Sequence, residues 1–166
     1  MGTTSQEHAS TWVNLRANSY YLALSNQRCW KCKASTHLVA VGLPIGYEEE
    51  VEPGRWQRAP EPTLLRNIHR LSPHVVERLC AGHKGYRFAQ SKSAKISYWF
   101  NHCLHCDAKQ GDHMAHSQPG GAFFPTTPEE AAGVVLVNVA EPIEVSAGGF
   151  SLGIGLIEHM HVYARP

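Results

Sequence analysis

The chain has 166 residues, 43% hydrophobic and 17% charged, with a formal net charge of +1. That is enough chain and apolar content for a globular domain with its own core; it excludes a generic polycation and, with no apolar run near the ~20 residues a bilayer demands, a helical membrane span. The charge is uneven: residues 55–106 hold nine Lys/Arg against two Asp/Glu, and residues 107–166 hold two against seven.

Residues 1–10 read as a disordered lead and residues 11–166 as one domain. The polar start lacks the basic-then-apolar pattern of a signal peptide, so a cytoplasmic protein without membrane attachment is expected. In that compartment paired cysteines hold metal more often than they form disulfides. The stretch "WVNLRANSYYLALS" (12–25) reads as strand, and "THLVAVGLP" (36–44) as a buried strand stopped by Pro44. Between them lie Cys29 and Cys32, so a hairpin tip carrying two thiols is expected.

"YEEEVEPGRWQRAPEP" (47–62), with three prolines and a charge run, reads as a surface loop. "TLLRNIHRL" places Leu64, Leu65, Ile68 and Leu71 at helical spacing. The clearest helix is "SPHVVERLCAGHKG": Ser72 suits the N-cap, Pro73 the first helical position and Gly82 the C-terminal cap. Its apolar face is Val75, Val76, Leu79 and Cys80, which makes Cys80 a small buried hydrophobe.

"YRFAQSKSAKISYWFNHC" reads as a strand pair running into Cys103 and Cys106, and 107–125 as a loop. Thr127 and Glu130 form a capping box for one or two turns of helix. "VVLVNVAEPIEVS" gives one or two strands, and "GFSLGIGLIEHMHVYA" a last strand with His159 and His161 on one face. The fold class is α+β: mainly antiparallel strands with one or two short helices.

The five cysteines include two C-x2-C pairs separated by seventy residues, Cys29/Cys32 and Cys103/Cys106. Each turn brings two sulfurs within reach of one ion, and two turns complete the tetrahedron that Zn2+ favours; four protein ligands leave no position for water, so the ion is structural. A thioredoxin-type redox pair needs one C-x2-C opening a helix, and neither pair here precedes a helical pattern. His102 and His105 flank the second pair as alternative ligands, or, with Arg28, Lys31 and Lys33, as groups offsetting the thiolate charge. "CWKC" and "CLHC" with their flanking strands resemble a zinc ribbon over about forty residues, with an unusually long insert between the knuckles. The wider "YWFNHCLHCDAKQGD" resembles segments of uncharacterised bacterial proteins and implies no activity.

A second set of residues, Asp112, His113, His116, His159 and His161, would form another metal site or an acid–base pair if the last strand ran beside the 107–116 loop. No HExxH or nucleotide-binding glycine motif occurs. The expectation is a non-catalytic zinc module with one structural Zn2+. Its partner would be nucleic acid, met by Arg55, Arg58, Arg66, Arg70, Arg87, Lys92 and Lys95, or another protein; a hydrolase-type enzyme using the His/Asp set is the third reading.

Overall fold

The computed structural model describes residues 12–150 and 157–164; the lead expected at 1–10 lies outside the described residues. The elements in chain order are β1 (Leu15–Ala17), β2 (Tyr20–Arg28), β3 (Ser35–Leu43), β4 (Glu48–Glu52), β5 (Arg55–Arg58), β6 (Thr63–Leu71), α1 (Pro73–Gly82), β7 (Tyr86–Ser91), β8 (Ile96–His102), β9 (Lys109–Gln110), α2 (Asp112–His116), α3 (Pro128–Ala132), β10 (Val135–Val139), β11 (Ile143–Phe150), a 3-10 turn (Ile157–His159) and β12 (His161–Ala164). Strand pairing follows the path β12-β10-β2-β3-β6-β11-β1-β4-β5, and β8 joins β6 while carrying β7 and β9. Pairing among the described residues is antiparallel except between β10 and β12. The mainly antiparallel α+β expectation holds.

The β2–β3 hairpin is the centre of the molecule, and both its faces are covered. Alternation sends Leu22, Val39, Val41 and Leu43 to one core, shared with Leu65, Ile68, Val75 and Leu79. Ala23, Leu38 and Ala40 face a second core built on Phe123, Val134 and Leu136. Small side chains on that side, including Ala115, Ala122 and Ala131, let the 115–136 segment lie close to the sheet. At Gly42 a side chain would meet Leu64 Cδ2 at 2.8 Å, so glycine permits the close pairing of β3 with the start of β6.

Several sequence expectations are corrected. The loop expected at 47–62 contains the β4–β5 hairpin, because its charge run is self-complementary: Glu48 faces Arg58 and Glu52 faces Arg55 across the pair. Arg16 adds a 2.7 Å bond to Glu48 and lies 4.0 Å over the Trp56 ring. The helix suggested by Leu64, Leu65, Ile68 and Leu71 is strand β6. Asn67 has a φ of 51°, and β6 carries an extra residue opposite the Ser146–Ala147 step. These irregularities send Leu65, Ile68 and Leu71 to one core at three-residue spacing, which imitates a helix.

Helix α1 forms where expected, but Cys80 is exposed, because burial is confined to Val75 and Leu79. Ser72 Oγ accepts from Glu144 N at 2.8 Å and makes no capping bond to its own helix. Gly82 stays inside the helix, and His83 N closes it onto Leu79 O at 2.7 Å. The 107–125 loop contains β9 and α2. In place of one last strand, β11 ends at Phe150, residues 151–156 lie outside the described residues, and His159 sits in a 3-10 turn before β12. The Thr127 cap forms as expected, its Oγ1 accepting from Glu130 N at 3.2 Å.

Candidate metal centre

Cys29 and Cys32 lie in the loop joining β2 to β3, where Arg28 pairs with Ser35; Cys103 and Cys106 lie in the loop joining β8 to β9, where His102 pairs with Lys109. The two loops have one backbone design. Lys33 N donates to Cys29 O at 3.0 Å and Cys29 N to Ala34 O at 2.9 Å; Asp107 N donates to Cys103 O at 2.9 Å and Cys103 N to Ala108 O at 2.8 Å. Lys33 and Asp107, each one residue past a C-x2-C, take φ values of 63° and 61°. That left-handed residue lets the chain reverse directly after the second cysteine.

The loops also brace each other reciprocally. Trp30 Nε1 donates to Lys109 O at 2.7 Å, and the His105 ring nitrogen bonds Ser35 O at 2.9 Å. Gln110 Nε2 donates to Cys29 Sγ at 3.2 Å, while Leu104 N donates to Thr36 Oγ1 at 3.0 Å. Two backbone amides point at sulfur, Lys31 N to Cys29 Sγ and His105 N to Cys103 Sγ, both at 3.4 Å. These donors suit thiolates.

The four Sγ atoms all lie within 4.8 Å of one another. Cys29 and Cys106 are 3.6 Å apart, and Cys32 and Cys103 are 3.7 Å apart. A tetrahedron of sulfurs at the usual Zn–S distance has edges of about 3.8 Å, so the donor set fits one tetrahedral ion. Sulfurs this close cannot all ionise unaided. Burial opposes the Cys29 thiolate, yet the N–H groups of Cys32 and Lys31 and the neighbouring thiols lower its pKa to about 6. At Cys32 the Ala34 N–H favours the thiolate, but desolvation and the other three sulfurs push its pKa up to about 11. A divalent cation at the centre would remove this conflict by stabilising all four thiolates.

Neither flanking histidine joins the sulfurs. His102 is buried, its Nδ1 3.1 Å from Gly85 O, and burial, with Arg87 nearby, lowers its pKa. Gly85 must lack a side chain there, since a Cβ would come within 2.6 Å of His102 O. His105 is held by Ser35.

The other residues singled out in the sequence occupy several places. Arg55 pairs with Glu52 at 3.1 Å, and with Arg58 it lies on β5, the end strand of the sheet path. Arg66 and Arg70 lie on β6; Arg66 bonds Ser117 Oγ. Arg87 pairs with Asp107 at 2.6 Å beside the second knuckle, and Lys92 and Lys95 stand exposed on the β7–β8 turn. Asp112 and His116 share the buried face of α2, and His113 is exposed. His159 lies 3.8 Å from Glu158 in the 3-10 turn, and His161 opens β12. Among the described residues, only the four cysteines gather as a group of three or more side chains able to hold an ion.

Sequence reading missed the bracing residues Thr36 and Gln110, both buried and polar. Their signal was positional: each follows the first cysteine of its pair by seven residues. Sequence reading singled out Asp112 and His116 but did not identify Asn67 and Arg66 on β6 as their neighbours. Asp112 Oδ2 accepts from Asn67 N at 2.8 Å; burial raises its pKa to about 7 against the pull of that N–H and of Arg66. His116 packs against Phe123, and burial, aided by Arg66, lowers its pKa to about 3.

Comparison with models of protein families, with curated proteins and with solved structures finds no match to this chain.

Proposed function

We propose that this protein is a zinc-ribbon-like binding module in which Cys29, Cys32, Cys103 and Cys106 hold one structural Zn2+. The observation that carries the reading is the pair of like-built loops that bring four sulfurs to tetrahedral spacing with N–H donors aimed at two of them. Such a site is closed: every coordination position is a thiolate, so the ion organises the fold and activates no water. Binding rather than chemistry is therefore the role assigned. A nucleic-acid partner has its best support at Lys92 and Lys95, since Arg55 and Arg87 are already ion-paired.

Elemental analysis of protein purified without added metal tests the reading. The expected result is about one zinc per chain, because the sequence holds one complete four-cysteine set. Protein from a freshly reduced lysate that contains no zinc and two disulfides would overturn it.

A further inference from the structure

Beside the first knuckle lies a cavity of about 630 Å³. Trp30, Phe100 and Met114 give it apolar walls, and Lys92, Lys109 and His113 supply its polar groups. None of its described lining residues is acidic. We propose that this cavity is a ligand site for a small planar aromatic molecule carrying one anionic group, a phosphate, sulfonate or carboxylate.

Trp30 is the first reason. Its side chain stays 50% exposed, yet its indole N–H is fixed on Lys109 O at 2.7 Å. A large aromatic group left half in water contributes little to the core, but an orientation fixed by hydrogen bonding makes it a ready stacking surface. Phe100, 1% exposed, and Met114 complete an apolar wall for a ring.

Charge is the second reason. Lys109 Nζ is committed to Gln90 O, and the nearest arginine of β7, Arg87, is committed to Asp107. Lys92 has no ion pair among the described residues, and His113 is exposed. One uncommitted ammonium, with an imidazole also lining the cavity, matches a single anionic group better than a run of phosphates. The volume also falls within the ~300–1,000 Å³ of small-molecule sites.

The site rests on the metal reading to the extent that the knuckle sets Trp30. The test therefore measures zinc in every sample. Wild-type protein is titrated calorimetrically with adenosine 5′-monophosphate and naphthalene-2-sulfonate as probes. Indole provides a ring without charge, inorganic phosphate a charge without a ring, and an oligothymidylate a strand. The two probes should bind about ten-fold tighter than indole or phosphate. Lys92→Gln should cost the probes most of that margin and leave indole unchanged. Trp30→Ala should weaken both probes, and Trp30→Phe should restore part of the loss. Zinc-loaded protein that binds neither probe, or whose affinities ignore both substitutions, overturns the ligand site alone. Protein without zinc overturns the metal reading, whatever the probes do. Oligothymidylate binding that tightens with length, with a salt slope of several phosphates, replaces the single-ligand site with a nucleic-acid track.

Discussion

Asn101, buried on β8, uses its side-chain amide as a rung of the sheet: Oδ1 accepts from Val39 N at 3.0 Å and Nδ2 donates to Val39 O at 2.9 Å. One side chain thus satisfies both backbone groups of a core residue on β3, where β3 and β8 have no backbone pairing of their own. The four cysteines bridge the same two strands at their ends.

Replacing Asn101 with Leu should leave the Val39 N–H and C=O buried without partners. The expected loss is on the order of 2–4 kcal/mol in urea denaturation, since two orphaned backbone groups each cost about 1–3 kcal/mol before relaxation. Asn101→Asp keeps one acceptor, but buries a charge beside a carbonyl, so it should be no better. A Leu variant as stable as the wild type would show that water or a strand shift fills the gap.

The metal ligands and the fifth cysteine should separate cleanly. Cys29→Ser or Cys103→Ser should release the ion and lower the melting temperature, because three thiolates hold it poorly. Cys80→Ser should keep both, since Cys80 is exposed on α1 and away from the site. Zinc content and thermal melts of the three variants decide the matter. Metal loss from Cys80→Ser alone would refute the ligand assignment.

Gln110 tunes the site from outside the ligand set. Gln110→Glu replaces a donor to Cys29 Sγ with an anion facing thiolates. Competition with a chelator should show zinc affinity reduced by about 10–100-fold, the usual effect of losing such a partner. Gln110→Leu should fall between this variant and the wild type. If the order of Glu and Leu were reversed, the bond to sulfur would not be the cause.

The buried pair Asp112 and His116 predicts a hidden pH dependence. The folded state raises the Asp112 pKa from 3.8 to about 7, so this group's contribution is best at low pH and is lost as pH rises from about 4 to 7. It lowers the His116 pKa from 6.5 to about 3, so that contribution is present above 6.5 and lost as pH falls toward 3. Between about pH 4 and 6.5 the folded chain holds its proton on Asp112 and the unfolded chain holds one on His116, so the two slopes cancel. Arg66, Tyr86 and Tyr98 are the other ionisable groups acting on the pair.

Single substitutions should expose each slope. Asp112→Asn keeps an acceptor for Asn67 N and should stabilise the protein at pH 8 by roughly 2–4 kcal/mol, with stability then falling below pH 6.5. His116→Gln should instead lose stability between about pH 4 and 7. Denaturation curves compared with the wild type at each pH cancel any acid release of metal common to all three. Parallel pH profiles for the two variants would contradict the assignment.

Much of the site was legible in the sequence, because C-x2-C is a local signal and its tetrahedral partner set requires only a second copy. The hairpin carrying Cys29 was legible for the same reason: alternating apolar residues flank a short polar turn. Strand β6 was not legible, since the irregularities at Asn67 and opposite Ser146–Ala147 shift side chains into a three-residue rhythm. The β4–β5 hairpin hid behind its charges, which looked like a solvated loop until the cross-strand register matched Glu to Arg. Asn101, Thr36 and Gln110 act across more than sixty residues of sequence, and no periodicity reports a partner at that distance.

The seventy residues between Cys32 and Cys103 include strands β3 to β8 and helix α1. During synthesis the first pair leaves the ribosome long before the second, and two thiolates alone give a half-made, exchangeable site. The finished site can close only after the intervening strands have brought β8 alongside β3, because joining distant chain positions costs loop entropy until packing offsets it. Capture of a metal there would thus be a late fastening that rewards a correctly folded interior. A chain that misfolds between its two pairs would keep its thiols apart and open to oxidation.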